Sequence, residues 1–231
     1  MNKGQMIAVL GGARETLRAV EWLTRAGANG VVIWGTGTDP VRTPFRDAPM
    51  VSLAETDAIL DASHSFDEVT RAIAVARAPA VPYAHVGRAP WVPGPGDLWT
   101  EVQTLTEAVA ALPSGARVFA ATGRGSLDVL AAHDGPVFLR QLARHDLPMP
   151  LPNGQFIFGN APFAVADEVG LLTDLKIDVV LARNIGGAGS FPKLAAAREL
   201  GLPAVVLRPP ARPDGPHLAS YEDVQHWVQS L

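Results

Sequence analysis

The chain has 231 residues, 48% of them hydrophobic and 18% charged, which is enough apolar surface for a proper core and unlike a disordered chain. A formal net charge of -4 leaves no nucleic-acid footprint. The absence of cysteine removes disulfides, thiolate metal sites, iron–sulfur ligands and a cysteine nucleophile together.

The N-terminal "MNKGQMIAVLGG" is too short in its apolar run for a signal peptide and reads directly into a strand and turn. No apolar run approaches the ~20 residues that span a bilayer. A cytoplasmic protein is expected, with neither membrane nor nucleic acid as a partner.

Short apolar runs then alternate with segments of helical period. "MIAVL" (6–10) predicts a strand, "RETLRAVEWLTRAG" (14–27) a helix and "GVVIWG" (30–35) a strand. The order returns in "DAILDAS" (57–63), "FDEVTRAIAVARA" (66–78) and "VPYAHV" (81–86). Runs that are apolar throughout suit strands covered on both faces, as in a parallel sheet. "GRAPWVPGPGDLWTEV" (87–102) is too rich in proline and glycine for a helix and predicts an extended surface tract. A helix is expected over 105–113, and "SGA" (114–116) reads as the domain boundary.

The pattern restarts with "RVFAATGRGSLDVLAAH" (117–133), then strands expected near 136–140, 155–159 and 177–182, helices near 163–175, 191–201 and 221–231, and the apolar run "PAVVLRPP" (203–210). Strand–helix–strand repetition predicts an α/β protein of two Rossmann-like lobes, 1–115 and 116–231, with mostly parallel sheets facing a central cleft.

Glycine loops after strands carry the functional signal. Gly11 and Gly12, followed by Ala13 and Arg14, open the first helix. Without side chains there, a phosphate can approach backbone N–H groups at the helix N-terminus, although a simple tight turn reads equally well. After the second strand, Thr36, Thr38 and Arg42 outnumber the lone Asp39, which leans towards a cofactor with a 2′-phosphate. Ser63 and His64 end the next strand; Ser63 and Ser65 suit a helix cap as well as a ligand.

In the second half, Thr122, Gly123 and Arg124 repeat the strand–glycine–helix device. "RNIGGAGSFPK" (183–193) offers Asn184, Gly186, Gly187 and Gly189, with Ser190 as a possible cap and Lys193 in the first turn of the helix. A lysine at that place opposes the helix dipole and hints at a nearby anion. Three glycines in four residues exceed an ordinary turn, so ligand contact is favoured. The six histidines are scattered and lack ligand spacing, so no metal site is expected.

Read in order, "VLGGARE", "ILDASHSF", "PYAHVGRAPW", "GDLWTEV", "FAATGRGSL", "LPLPNGQFIFGNAPF" and "IDVVLARNIGGAGSFPKLAAARELGLPAVVLRPP" resemble the precorrin-6A reductase family of cobalamin biosynthesis, collinearly over almost the whole chain. The resemblance implies NADPH-dependent reduction of one double bond of precorrin-6A, giving precorrin-6B. The partner it implies is a polyanionic tetrapyrrole, with transfer to neighbouring pathway enzymes.

For such a reaction Gly11, Gly12, Ala13, Arg14, Thr36, Thr38, Arg42, Ser63, His64, Asn184, Gly186 and Gly187 are the cofactor candidates. Thr122, Gly123, Arg124, Arg183, Lys193 and Arg208, with Arg88 beside them, are the candidates for substrate carboxylates. His64 and Tyr83 are the candidate catalytic acids, with a water or a substrate carboxyl as alternatives. The family's "DATHPF"-like and "KNSGG"-like elements appear here as "DASHSF" and "RNIGG", and Phe191 stands where tyrosine is common. A mechanism needing hydroxyls at 185 or 191 is therefore not expected. Two other readings are a two-lobed nucleotide-sugar transferase and a non-catalytic tetrapyrrole- or nucleotide-binding module.

Overall fold

The continuous apolar runs become parallel strands in a computed structural model that describes residues 5–35 and 38–231. The first sheet contains β1 (Met6–Gly11), β2 (Asn29–Trp34), β3 (Arg46–Asp47), β4 (Ala58–Asp61) and β5 (Tyr83–His85), in the order β3-β2-β1-β4-β5. Every pairing is parallel, and Val9 of β1 lies opposite Val32 on one side and Leu60 on the other.

Alternate residues feed opposite faces. Ile7, Val9, Val32 and Leu60 pack with Leu23 of α1 (Glu15–Arg25) and Trp227 of α7 (Tyr221–Ser230). Ala8, Leu10, Val31, Ile33 and Ile59 pack with Ala74 of α2 (Glu68–Arg77) and Leu53 of the tight helical turn Met50–Glu55. Burial on both faces is why these strands carry no polar alternation. The helices are equally local in origin: α1 buries Thr16, Ala19, Val20 and Leu23 on one stripe. A capping box of Ser220 and Asp223 opens α7.

The second sheet holds β6 (Trp99–Val102), β7 (Val118–Ala121), β8 (Val137–Gln141), β9 (Gly154–Phe158), β10 (Val179–Arg183) and β11 (Ala204–Leu207). Its order is β6-β11-β10-β7-β8-β9, again all parallel. Phe119, Phe138, Val180, Ala182 and Val206 pack with Leu172 of α5 (Val165–Asp174) and Leu194 of α6 (Pro192–Glu199). The short helix α3 (Leu105–Ala110) packs on β11 and on α4 (Leu127–Leu130).

Two expectations change. The tract 87–102 does not stay an unpaired surface tract to its end, because Trp99–Val102 is the edge strand β6, paired residue by residue with β11. The division at 115/116 also moves. One compact unit is made of the described residues up to Gly87 together with Pro210–Leu231, and the other is Arg88–Pro209. The reason is burial: Leu218, Val224 and Trp227 of the returning C-terminal segment fill the core over β1. Among the described residues no helix is long and apolar enough to cross a membrane.

Candidate functional site

Each sheet reverses its winding once. In the first unit the chain moves outward from β1 to β3 and then returns to the other side with β4 and β5. The loops after β1 and β4 are therefore the pair at the reversal, carrying Gly11–Gly12 and Ser63–His64. In the second unit β7, β8 and β9 run one way, and β10 and β11 the other. The loops after β7 and β10 carry Thr122–Arg124 and Asn184–Gly187. In open α/β sheets ligands bind beyond the strand carboxyl ends at such a reversal.

In the first unit the structure brings three separate loops together around Gly12. Its φ is +143°, and a Cβ there would lie 3.4 Å from Thr38 Oγ1 and 3.5 Å from the His64 amide nitrogen. The positive φ is what favours glycine here, since those distances are ordinary van der Waals contacts. The amides expected to meet a phosphate are partly used: Gly12 N–H donates to Thr16 Oγ1 (3.1 Å) and Ala13 N–H to Ala62 O (3.3 Å). Arg14 is exposed at the start of α1, and Arg42 is exposed on the loop after β2. Thr36 lies outside the described residues.

His64 is exposed, and its Nδ1 accepts a hydrogen bond from the Phe66 amide (3.1 Å). A neutral ring so held carries its proton on Nε2 and offers it as a donor. Ser63 does not cap α2. Its amide and hydroxyl both donate to Asp61 Oδ1, at 3.0 and 2.6 Å, while Asp67 caps α2 instead.

Asp61 had no place among the expected residues, yet it organises this end of the sheet. Its other oxygen, Oδ2, accepts from Arg71 Nη1 and from the Tyr83 hydroxyl, both at 2.7 Å. Burial alone would raise the Asp61 carboxyl, but Arg71, then Arg212 and the Ser63 bonds, hold it below the ordinary value. Tyr83 is the correction that follows. Burial, and then the Asp61 charge, push its phenol far above its usual range. Its one proton is committed to Asp61, so it is a support and not an acid for a ligand. Arg212, from the returning segment, lies against Gly87, with Nη2 3.2 Å from where a Cβ would stand. Beside it His85 stacks on His217 at 5.1 Å. Burial first, then Arg212 and His217, push His85 down to about 4.

The richest glycine loop packs against its own chain. Asn184, 2% exposed, accepts from Trp91 N–H (2.7 Å) and donates to Trp91 O (2.8 Å). Trp91 Nε1 donates to Gly187 O (2.7 Å). Both Gly186 and Gly187 have positive φ, and a Cβ on either would collide with Ala89 or Arg88 of the same unit. Asn184, Gly186 and Gly187 thus have a structural use of their own: they lock residues 88–91 against the loop. Close approach of the chain to itself explains the surplus glycines.

This junction borders an open apolar hollow of about 490 Å³ lined by Trp91, Val92, Val165, Gly187, Ala188, Phe191 and Pro192. Lys193 donates to Ser190 O and sits 5.4 Å from the centre of the Trp91 ring. Burial pushes Lys193 down to about 8. Ser190 caps nothing, since α6 starts from Phe191 and Pro192 without a side-chain cap.

Of the remaining expected residues, Thr122 is turned inward, its hydroxyl 2.6 Å from that of Ser126. Gly123, at φ +77°, faces open space. Arg183 ends β10 half-buried. Arg208 is already paired, bonding Glu101 at 2.7 and 3.1 Å. Arg124 instead bonds His145 Nε2 (3.3 Å) and lies 5.6 Å from the Phe156 ring centre.

Two doubly wound parallel sheets with glycine loops at their reversals define a Rossmann-type ligand-binding protein. The chain belongs to the precorrin-6x reductase CbiJ/CobK family, whose match spans residues 6–229. It is 36% identical to the precorrin-6A reductase of Rhodobacter capsulatus over 96% of this chain and 95% of that one. It is 37% identical to the precorrin-6A reductase of Rhodococcus erythropolis over 76% of this chain and 72% of that one. The solved structure of a CobK precorrin-6A reductase superposes with a TM-score of 0.78 at 34% identity, covering 98% of this chain and 96% of the other.

Proposed function

We infer that this protein reduces one double bond of precorrin-6A with NADPH, as an oxidoreductase of cobalamin biosynthesis. The observation that carries the reading is the near-complete match, in sequence and in fold, to precorrin-6A reductases. The alternatives of a sugar-nucleotide transferase and a non-catalytic module have no such support.

The residues present fit a nicotinamide cofactor. The Gly12 cradle, the Thr38 hydroxyl and the His64 amide converge beyond β1 and β4, and Arg42, exposed on the loop after β2, is the candidate for a 2′-phosphate. When bound, NADPH supplies the hydride. The protein's own part is to position and to exclude water. Asp61 fixes the Ser63–His64 turn through two bonds, so the His64 Nε2–H is held at a set place as a donor. Delivering a proton as imidazolium would require His64 to give up its bond from the Phe66 amide. Solvent, or a carboxyl of the substrate, is therefore the better source of the proton that completes the reduction. The need for NADPH supports a cytoplasmic location.

The test is turnover. Purified protein mixed with precorrin-6A should consume NADPH and yield a product two hydrogens heavier by mass spectrometry. Tight binding of both compounds without NADPH loss would reject the reductase reading.

A further inference from the structure

Five arginines of the second unit fall into two groups. Arg140, Arg198 and Arg208 each meet a carboxylate, of Glu168, Asp97 and Glu101, at 2.8, 2.6 and 2.7 Å. Among the described residues Arg124 and Arg144 meet none. They lie over the rings of Phe156 and Phe158, 5.6 and 5.5 Å from the centroids. The adjacent carboxylate of Asp146 is exposed and pairs with neither.

His145 sits between them, edge-on to both rings at 4.8 and 5.2 Å. Because arginine only donates, the 3.3 Å contact makes His145 Nε2 the acceptor and leaves Nδ1 as the N–H. That Nδ1 is buried with no hydrogen-bond partner. The ring thus orients Arg124 while its own donor goes unsatisfied, which costs the folded chain some stability.

Next to Arg144 lies a hollow of about 130 Å³, lined by Leu142, Arg144, Phe158, Gly159 and Asn160. That is the bulk of about four waters, or of one propionate arm. Arg124 follows β7, His145 and Arg144 follow β8, and Phe158 closes β9, so the cluster stands at the carboxyl ends of three adjacent strands. Arginines stacked on aromatic faces keep their forked donors pointed outward and pre-ordered for a carboxylate.

We propose that Arg124, Arg144, His145 and Asn160 form a carboxylate subsite that holds one acidic arm of the macrocycle. The proposal rests on the reductase reading and deepens it, by giving the polyanionic substrate a defined anchor within the second unit. An anionic group could also come from a cofactor phosphate, and the kinetics separate the two sources.

The experiment uses the full chain, wild type against Arg144→Gln, Arg124→Gln and Arg144→Lys. Precorrin-6A is varied at saturating NADPH, and then NADPH at saturating precorrin-6A. Loss of one charge-assisted bond should raise the KM for precorrin-6A about ten-fold in each glutamine variant. The KM for NADPH should stay near wild type, and Arg144→Lys should recover most of the loss. Melting temperatures establish that all variants are folded. An unchanged KM for precorrin-6A overturns the subsite, and so does a rise confined to NADPH, which would mean a phosphate is held there. A wild type that does not turn over would overturn the reaction and the subsite together, whereas an active wild type with unaffected variants overturns the subsite alone.

Discussion

Tyr83 and Arg42 show how differently two polar side chains near a reversal can be engaged. Tyr83, 5% exposed, completes the shell of Asp61 with its hydroxyl at 2.7 Å. Tyr83→Phe should therefore lower stability by about 1.5–3 kcal/mol, the worth of a hydrogen bond to a charged group. Turnover by the folded enzyme should stay within a few-fold of wild type. A collapse of kcat at normal stability would restore the phenol as an acid. Arg42 is exposed, and its only expected partner is a phosphate. Arg42→Ala should raise the KM for NADPH and leave that for NADH alone, narrowing the preference between them. An unchanged ratio would reject that role.

Among the elements, the helices and strands were largely legible because each is specified by its own period and caps. The residues of α1 recur at helical spacing on one buried stripe, and β10 is apolar from Val179 to Ala182. The glycine loops were legible as positions but not as purposes. Gly12 keeps open a cradle beside Thr38 and His64, whereas Gly186 and Gly187 admit residues 88 and 89 of the same chain. The two cases look alike in the sequence, since a glycine records that something comes close and not what it is. β5 supplies a prediction of its own. His85 pairs with the returning segment through Pro216 and Leu218, and its folded pKa is about 4 against an ordinary 6.5. Between those values the unfolded chain holds a proton that the folded one lacks, so stability is full above pH 6.5 and falls on acidification towards 4. Urea midpoints across this range should show the loss, and His85→Gln should flatten it. Asp61 acts only lower down, as its carboxylate starts to protonate.

At the level of the chain's division, the two units differ in how they are assembled. Arg88–Pro209 is one continuous stretch, while the other unit needs Pro210–Leu231 to close its core. A fragment of residues 88–209 should therefore unfold cooperatively by itself. A fragment of residues 1–115 should not, since it lacks Leu218, Val224 and Trp227, each worth roughly 2 kcal/mol of burial. Circular dichroism and urea melts of the two fragments decide this. A cooperative transition in 1–115 would mean the C-terminal segment is dispensable.

Local chemistry was enough to announce most of the strands and helices and the parallel character of both sheets, and the ordered motifs carried the resemblance to the reductase family, because periodicity, capping and motifs are written in neighbouring residues. Contacts between distant positions were not. β6 joining β11, Asp61 gathering Arg71 and Tyr83, and Asn184 gripping Trp91 link residues ten to more than a hundred positions apart. Such pairings depend on which surfaces meet when the core is buried, and no single stretch of chain contains that information.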